Sequence, residues 1–435
     1  MIEHVHHEEA FDDFQRQPLL PKKLSQLGPG VAWYDVDGDG WEDLVIGSGR
    51  GGRLGVYHNE GGRGFKALSQ GPLQRVVGRD QTTVLGMGST LIVGSSNYED
   101  GQTNGGCVRI YDLQRQVGGD SILGEPFSRG PLALGDIDGD GTLDLFVGGR
   151  CVPGRYPEPA DSLLLRNQGG KFVVAQRLEK VGLVSGAVFS DLDGDGRPEL
   201  ILACEWGPVR VFGNRAGRYV ELTQELGLAE YTGWWNGVTT GDLDGDGRLD
   251  IIASNWGLNS RYRTSRAQPL RLYYGDLTGG GGVDLVEGYY DERGREVPGR
   301  GWTAVRMGLP FLQEKIGSYE AYGRASLAEL YGEKLAGLRM LEINTLATTV
   351  FYNRGDHFEA RELPVEAQLA PAYGVCVGDL DGDGKEDLFL SQNFFAMNAE
   401  TGRNDAGRGL WLRGDGQGGF KAVSGQESGV KVYGE

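Results

Sequence analysis

The chain has 435 residues, with 61 acidic against 43 basic side chains for a formal net charge of -18, and 75 glycines. Glycine is thus roughly 17% of the chain, against an average near 7%. Because no Gly-x-y period runs through it, collagen is excluded, and no apolar run approaches the roughly 20 residues of a membrane span, so we expect no membrane insertion. The acidic excess repels phosphate backbones, which argues against nucleic acid as a partner.

Residues 1–27 are predicted to be an N-terminal tail that adds at most one closing strand to the fold that follows. Five potential transition-metal ligands stand close together there: His4, His6, His7, Glu8 and Glu9. A flexible terminal tail is the simpler interpretation of this segment. The opening residues lack the apolar core of a signal peptide.

From residue 28 onward, one acidic phrase of nine residues recurs five times. Its copies are DVDGDGWED, DIDGDGTLD, DLDGDGRPE, DLDGDGRLD and DLDGDGKED, which begin at Asp35, Asp136, Asp191, Asp242 and Asp379. A short apolar run precedes each copy and another follows it, as GVAWY and LVIGS do for the first. Such runs bounded by glycine predict buried strands. Each phrase is therefore predicted to connect two strands, whereas an EF-hand loop connects two helices.

A second phrase lies between later strands, with Asn or Gly at a tip and an aromatic residue after it. Its copies are NEGGRGF (Asn59 to Phe65), NQGGKF (Asn167 to Phe172), NRAGRY (Asn214 to Tyr219), NRGDHF (Asn353 to Phe358) and RGDGQGGF (Arg413 to Phe420). This pattern predicts a tight β-hairpin. Two strands joined by the acidic loop and two joined by the hairpin make one unit of about 50 residues, which indicates a β-propeller blade.

Irregular spacing marks two departures from the repeat. Residues 82–113 have the strand pattern without the acidic phrase, which predicts a blade that binds no ion. The long interval between the fourth and fifth phrases holds an eroded loop, Asp276 to Asp284, with Thr278 and Gly280 in place of acids. A helical stretch follows, in which Ser326 and Glu329 are spaced as a capping box. One blade with a small helical insertion near 258–343 is favoured over two separate blades.

The predicted fold class is therefore all-β: a β-propeller of four-stranded blades over residues 28–435, with the insertion near 258–343. Six units are visible, and a closed ring that leaves no strand edge exposed favours a seventh. Phe420 is followed by 15 residues, whereas Phe172 is followed by the next acidic loop after 19. We therefore expect seven-fold symmetry with the last blade incomplete, as in a fragment of a longer protein.

The spacing of the acidic phrase predicts a Ca²⁺ site in each copy. Carboxylates at positions 1, 3 and 5 converge when the backbone coils, glycines at 4 and 6 permit that coiling, and an acid at 9 closes the cage. An all-oxygen ligand set suits Ca²⁺, whereas zinc and copper favour His or Cys. The predicted ligands of the five sites are Asp35, Asp37, Asp39, Asp43, Asp136, Asp138, Asp140, Asp144, Asp191, Asp193, Asp195, Glu199, Asp242, Asp244, Asp246, Asp250, Asp379, Asp381, Asp383 and Asp387.

The repeated unit of apolar strand and DxDGDGxxD loop resembles the FG-GAP and VCBS repeats of Ca²⁺-binding propellers. Such propellers occur in integrin α subunits, relatives of cartilage acidic protein and many bacterial secreted proteins. The resemblance implies ions at one face of the propeller that hold strand connections in place. It also implies extracellular or periplasmic residence. Departures are Glu199 at the closing position of the third loop and the acid-poor Asp276 loop, where binding is doubtful.

Two further patterns offer binding functions. The Arg-Gly-Asp tripeptides that start at Arg354 and Arg413 match integrin ligands, although both lie in hairpin phrases where Gly and Asp are turn residues. Six tryptophans are candidates for a carbohydrate platform, with packing between blades as the alternative: Trp33, Trp206, Trp234, Trp235, Trp256 and Trp302.

The sequence therefore predicts a Ca²⁺-binding propeller that acts as an interaction module for a protein or glycan. No Ser-His-Asp or Cys-His arrangement can be assembled from it, so we do not expect an enzyme. The alternatives are a lectin-like or polysaccharide-processing propeller and a structural scaffold within a larger secreted protein.

Overall fold

The computed structural model describes residues 2–102, 106–123 and 128–432. Strands dominate these residues and pair into antiparallel sheets of four, one of which gains a fifth short strand. The chain divides into two compact units. Unit 1 is Met1–Asp12 with Leu24–Val184, and unit 2 is Asp13–Lys23 with Ser185–Glu435. The fold is all-β, and its sheets are those of β-propeller blades, as the repeats predict.

Unit 1 contains three sheets whose strands neighbour one another in chain order. They are β1 (Val31–Tyr34), β2 (Asp43–Ile46), β3 (Gly55–Asn59) and β4 (Phe65–Leu68); β5 (Gln81–Met87), β6 (Thr90–Ser95), β7 (Gly106–Asp112) and β8 (Val117–Leu123); and β9 (Arg129–Gly135), β10 (Asp144–Gly149), β11 (Ser162–Gln168) and β12 (Lys171–Leu178). The second sheet is the blade predicted without an acidic loop. A tight turn at Gly88 joins its first two strands, because Met87 pairs directly with Thr90. Residues 103–105 of this blade lie outside the described residues.

Unit 2 contains four sheets, and β13 spans the boundary with unit 1. Its strands are β13 (Leu183–Ser190), β14 (Glu199–Gly207), β15 (Arg210–Arg215), β16 (Arg218–Glu221), β17 (Gly233–Trp234), β18 (Gly237–Gly241), β19 (Asp250–Ser254), β20 (Leu270–Gly275), β21 (Asp284–Tyr290), β22 (Glu296–Pro298), β23 (Arg339–Ile343), β24 (Thr349–Asn353), β25 (Phe358–Glu362), β26 (Ala372–Gly378), β27 (Asp387–Gln392), β28 (Leu410–Gly414) and β29 (Phe420–Val423). The sheets are β13 to β16 with β17 beside β14, then β18-β19-β24-β25, β22-β21-β20-β23, and β26 to β29.

The strand after the acidic loop is buried on both faces in three blades, at β10, β14 and β19, which explains its unbroken apolar run, whereas β2 and β27 also contain partly exposed residues. In β10, Leu145, Phe146 and Val147 are all fully buried, and every residue of β19 is buried as well. Ile251 packs into one apolar cluster of unit 2 with Phe351, while its neighbour Ile252 packs into another. The acidic loops are therefore anchored to the most buried strand of each blade.

The insertion interrupts the blade of β18, β19, β24 and β25. Strands β19 and β24 are paired neighbours, with Ile252 opposite Val350, although about a hundred residues of chain lie between them. Those residues form the sheet β22-β21-β20-β23, whose order differs from the sequential order of the blades. The insertion within one blade is present and contains helices, as expected, but it also contains this four-stranded sheet, because the eroded Asp276 loop still joins two strands, β20 and β21.

Short helices complete the described secondary structure. The α-helices are α1 (Asp13–Arg16), α2 (Trp302–Gly308), α3 (Leu312–Lys315), α4 (Tyr319–Arg324), α5 (Leu327–Tyr331), α6 (Glu333–Ala336) and α7 (Gly425–Ser428). Helix α5 begins with the predicted capping box, since the backbone N–H of Ser326 donates to Glu329 Oε2 at 2.7 Å and Glu329 N–H donates to Ser326 Oγ. Single 3-10 turns lie at Gly71–Gln74, Leu228–Glu230 and Val365–Gln368. No helix in the described ranges has the length and apolar character needed to cross a membrane.

The two ends of the chain add no blade strand among the described residues. Residues 2–27 are packed against the units and, where described, add no blade strand: Gly49 N–H donates to the His7 carbonyl in unit 1, and Lys22 forms an isolated bridge with Met397 in unit 2. Buried Leu19 and Leu20 give the physical reason. Beyond β29, the described residues form α7, so no strand of the expected incomplete blade is found in the part of the chain that the structure describes.

Candidate metal centres

The five acidic loops share one backbone shape, which the acid at position 1 holds closed. In the first loop, Gly38 N–H and Gly40 N–H donate to the two carboxylate oxygens of Asp35 at 2.8 and 2.9 Å. In the fifth loop, Asp379 receives the equivalent two bonds at 2.8 and 2.9 Å. Gly38 and Gly40 have φ of +80° and +89°, a region that side chains disfavour. This is why glycine stands at positions 4 and 6.

The acid at position 9 is buried and joins the loop to the hairpin of the same blade. Asp43 accepts from Val36 N–H within the loop at 3.1 Å and from Asn59 N–H in the hairpin at 2.7 Å. The Asn59 side chain then donates to the Glu42 carbonyl at 3.1 Å. Asn167, Asn353 and Gly414 donate in the same way to the closing acids of their own blades. The two phrases of the repeat are therefore one hydrogen-bonded structure.

Carboxylates converge in these loops at a spacing that fits Ca²⁺. One oxygen from each of three acids lies within 4.8 Å of the others in three of the loops: Asp35, Asp37 and Asp39; Asp136, Asp138 and Asp144; Asp191, Asp193 and Glu199. Two ligands at the roughly 2.4 Å Ca–O distance can be at most about 4.8 Å apart, so these groups fit the ion.

The fourth loop gives a second observation that fits a cation. Asp242 Oδ1 and Asp244 Oδ1 are shielded from solvent and have no hydrogen-bond partner among the described residues. Unpaired buried carboxylate oxygens are costly because a charged acceptor has lost its water. A bound cation would satisfy both atoms. The remaining predicted ligands lie in the same five loops, so each of the five blades with an intact acidic loop supplies its own ligands.

The pKa of the acid is shifted at position 1 in two cages and at position 9 in the other three. Hydrogen bonds from Gly40 and Gly384 lower the pKa of Asp35 and of Asp379. At position 9 the pKa shifts upward instead. Burial raises the pKa of Glu199 and of Asp250 to about 7, and the hydrogen bonds that each acid accepts, which lower its pKa, offset only part of this effect. The other acids of each cage raise it further. Burial also raises the pKa of Asp144. In these three cages, burial and the neighbouring acids thus both disfavour the ionised form of the closing acid.

Sequence reasoning missed a basic residue that each of four hairpins turns toward the acid at position 3. The ion pairs are His58 with Asp37 at 3.2 Å, Arg166 with Asp138 at 3.1 Å, Arg354 with Asp244 at 2.6 Å and Arg413 with Asp381 at 2.7 Å. In the third hairpin, Gly213 precedes Asn214, and Arg215 after it pairs with Glu225 at 3.1 Å. Among the described residues, no basic side chain lies within ion-pair distance of Asp193. Because Arg354 and Arg215 both follow the hairpin Asn but only Arg354 reaches an acidic loop, the spacing of basic residues in the sequence does not reveal these pairs.

These contacts also account for the Arg-Gly-Asp tripeptides. Arg354 pairs with Asp244 and, through Nε, with Glu359 at 3.1 Å, while Arg413 pairs with Asp381. Asp415 accepts from Gln417 N–H and Gly419 N–H within its own turn, both at 2.8 Å. The arginines are thus engaged by the acidic loops, and the tripeptides are turn sequences of the hairpins.

Comparison with known families identifies the repeat. Two overlapping stretches of the chain, residues 136–202 and 191–253, match the family described as FG-GAP-like repeat. Residues 136–253 carry FG-GAP-like repeats. These stretches contain the second, third and fourth acidic loops. The first and fifth loops lie outside the matched residues but have the same hydrogen bonds from glycine N–H groups to the acid at position 1. No curated protein matches the chain.

Solved structures with a similar course of the chain are only distantly related. One is a lectin from Agrocybe aegerita, described as recognising non-reducing terminal N-acetylglucosamine. It is 16% identical, and the match covers 90% of this chain and 79% of that chain with a TM-score of 0.43. Another is BBS1N in complex with ARL6DN, at 13% identity, 52% of this chain, 59% of that chain and a TM-score of 0.33. A second structure of that complex is 11% identical, and the match covers 83% of this chain and 75% of that chain with a TM-score of 0.38.

The tryptophans do not form the carbohydrate platform that the sequence left open. Trp206, Trp234, Trp235, Trp256 and Trp302 are all buried, and the rings of Trp234 and Trp256 stack on each other at 4.3 Å. Trp33 is half exposed. Packing inside unit 2, the alternative interpretation, accounts for Trp206, Trp234 and Trp256.

Proposed function

We propose that this chain is a β-propeller interaction module that binds Ca²⁺ in its five intact acidic loops. The repeated geometry of the loops carries the proposal: an acid at position 1 holds the coil, an acid at position 9 holds the hairpin, and acids between them converge. The two unpaired carboxylate oxygens of Asp242 and Asp244 support it independently.

Ca²⁺ fits these loops better than other common cations. The predicted ligands are carboxylates, and Ca²⁺ accepts six to eight oxygens in flexible geometry, whereas Mg²⁺ keeps an octahedron and several waters. Sulfur and imidazole ligands of zinc are not part of the repeated phrase. Glu199 is longer by one methylene than the Asp at this position elsewhere, a change that a flexible coordination sphere accommodates.

The proposed role of the ion is to stabilise the connection between strands. A loop that binds Ca²⁺ would hold the buried strand and the hairpin of one blade together through the position 9 acid. At ten times the dissociation constant, one site adds about 1.4 kcal/mol, so five independent sites add roughly 7 kcal/mol. Such a sum is comparable with the whole stability of many domains.

We further propose that the chain binds a protein or a glycan and is not an enzyme. The ion pairs of His58 with Asp37 and Asp43 place it in the first acidic loop, and His357 pairs with Asp356 in the turn of its own hairpin. Since the tryptophan platform is buried, no specific observation favours the lectin-like alternative. Extracellular or periplasmic residence, where Ca²⁺ reaches millimolar concentration, is part of the same proposal.

Thermal unfolding with and without Ca²⁺ tests the proposal. We expect EDTA to lower the midpoint by roughly 8 °C relative to several millimolar Ca²⁺, because a chain of this size changes its midpoint by about 1 °C per kcal/mol. Mg²⁺ at the same concentration is the control and should restore much less. Equal midpoints in EDTA and Ca²⁺ would refute the assignment.

A separate experiment addresses the partner. The Ca²⁺-loaded chain is applied to a glycan array and to immobilised extracellular proteins, with the EDTA-treated chain as control. We expect saturable binding that requires Ca²⁺. Turnover of a glycan substrate by the purified chain would contradict the assignment as a module without catalysis.

A further inference from the structure

Lys22 is fully buried in unit 2 and forms an ion pair there. Its Nζ lies 2.6 Å from Glu205 Oε1, and the two side chains are 0% and 1% exposed. Lys22 comes from the short segment Asp13–Lys23, whereas Glu205 lies in β14, 183 residues further along the chain. A buried lysine is unusual, because moving its charge out of water is costly without compensation.

Four aromatic rings surround the same nitrogen. The distances from Lys22 Nζ to the ring centroids are 5.5 Å for Trp234, Trp256 and Phe394 and 5.8 Å for Tyr373. An ammonium within about 6 Å of an aromatic face is attracted to it, and the attraction grows when the site excludes water. Four rings and one carboxylate form an aromatic cage, an arrangement that binds ammonium ligands.

The surrounding fold, rather than Lys22, builds this cage. Trp234 stacks on Trp256 at 4.3 Å, and Tyr373 stacks on Phe394 at 5.5 Å. Trp206 directly follows Glu205 and has a φ of +57°. Asn393 directly precedes Phe394 and has a φ of +119°. Such backbone conformations in residues other than glycine persist only where the neighbouring structure imposes them. The cage is therefore pre-organised by the strand ends of unit 2.

Unit 2 also holds the backbone of the segment in the way that proteins hold bound peptides. Arg300 Nη1 donates to the carbonyls of Leu19 and Leu20 at 3.0 and 2.8 Å. Asn398 Nδ2 donates to the Pro21 carbonyl at 2.8 Å, and Lys23 N–H donates to the Ala396 carbonyl at 2.8 Å. Main-chain hydrogen bonds together with a pocket for one side chain are the elements of peptide recognition.

We propose that unit 2 contains a binding site for a primary alkylammonium group, the side chain of a lysine within a peptide, and that residues 13–23 fill this site as a ligand tethered in cis. Simple packing does not require a lysine here, because a buried ion pair is often no more stabilising than apolar side chains of equal volume. The site uses none of the acidic loops, so it stands apart from the proposed Ca²⁺ function.

Chemical rescue of the full chain carrying Lys22→Ala tests the site. The substitution leaves the rings and Glu205 in place and opens a space for n-propylammonium. We expect this amine to raise the melting midpoint of Lys22→Ala in a saturable manner, by about 1–2 °C at ten times its dissociation constant, and to change the tryptophan fluorescence. The wild type, in which Lys22 occupies the cage, should not respond. n-Propanol, equal in size but uncharged, should rescue much less, and Glu205→Gln added to Lys22→Ala should abolish the rescue.

The outcomes separate recognition of an ammonium from filling of a cavity. Equal rescue by n-propanol and n-propylammonium, or an equal response of the wild type, would overturn the proposal. Should Lys22→Ala not fold, Lys22→Met provides the second test, because it fills the space and leaves the Glu205 carboxylate buried without its cation. Lys22→Met should then be less stable than Lys22→Met with Glu205→Gln. A double variant no more stable than Lys22→Met would likewise count against an ammonium site.

Discussion

The intact Asp242 loop of a blade and the eroded Asp276 loop of the insertion have the same backbone but different charges. Gly247 N–H donates to Asp242 at 3.1 Å, and Gly281 N–H donates to Asp276 at 2.9 Å. Leu277 N–H donates to Asp284 at 2.8 Å, as Leu243 N–H donates to the closing acid Asp250 at 3.1 Å. The coil therefore forms whether or not positions 3 and 5 are acidic.

The difference lies at positions 3 and 5. The blade loop has Asp244 and Asp246 there, whereas the insertion loop has Thr278 and Gly280, and Thr278 Oγ1 donates to the closing Asp284 at 3.0 Å. A neutral hydroxyl in the insertion thus occupies the place of a charged acid. Positions 1, 4, 6 and 9 shape the loop, and positions 3 and 5 supply the charge that attracts a cation.

The largest effect is expected at position 9, where the blade loop depends on a buried acid. Asp250→Ala leaves Leu243 N–H and Asn353 N–H without their acceptor, so it should cost about 3 kcal/mol in EDTA. In Ca²⁺ at ten times the dissociation constant it should cost about 1.4 kcal/mol more, because the fourth loop also loses a ligand. Urea unfolding measures this cost. Asp250→Asn, which keeps one acceptor oxygen, is the matched control and should cost less. A loss seen only in Ca²⁺ would mean that the acid has no structural role.

A pH dependence follows from the closing acid of the third loop. Burial raises the pKa of Glu199 from its usual 4.5 to about 7 in the metal-free fold. The folded state then binds the proton more tightly than the unfolded state, so stability is highest at low pH and is lost as pH rises through 7.

Urea unfolding in EDTA measures this effect. Between pH 5.5 and pH 8, the wild type should lose about 2 kcal/mol relative to Glu199→Gln, which cannot ionise. Addition of Ca²⁺ should reduce the difference, since a bound cation stabilises the carboxylate. Parallel pH curves for the two proteins in EDTA would argue against a strained closing acid.

Removal of charge at positions 3 and 5 should convert the blade loop into a loop like that of the insertion. Asp244→Asn with Asp246→Asn is expected to cost about 1.4 kcal/mol at ten times the Ca²⁺ dissociation constant and little in EDTA. Thermal unfolding under both conditions measures it. An equal cost in EDTA would show that these acids stabilise the fold rather than a bound ion.

The reverse exchange has the smallest expected effect on stability. Thr278→Asp with Gly280→Asp gives the insertion loop the charges of a blade loop on a backbone that already has the right shape. The added Cβ at Gly280 meets Thr278 Oγ1 at an ordinary 3.6 Å. Calorimetric titration should then detect one additional Ca²⁺ per chain. An unchanged number of sites would mean that charge and loop shape together do not suffice.

The sequence predicted the repeat well because each blade is specified locally. The spacing of acids and glycines from Asp35 to Asp43, and the tip residue Asn59, specify a loop and a hairpin within one blade. The insertion was located by the same logic, from the interval after Asp242. Its sheet was missed because the eroded loop at Asp276 was assigned to a helical insertion, although the two acids that shape the coil remain.

Contacts between distant segments could not be read in this way. Nothing around Lys22 marks it as the partner of Glu205, since the surrounding residues suggest an ordinary tail. The sequence left open whether Trp234 and Trp256 form a surface platform or pack between blades, because tryptophans serve either purpose. The cations of the hairpins, such as Arg354, were overlooked because a single basic residue beside Asn353 carries no pattern by itself.

Equilibrium dialysis with counted Ca²⁺ shows whether the acidic loops bind the ion as a set. At about 5 mM free Ca²⁺, several times the dissociation constant expected for such sites, we predict five ions per wild-type chain and four for the variant with Asp244→Asn and Asp246→Asn. No bound Ca²⁺, or an equal number in the two proteins, would contradict the account.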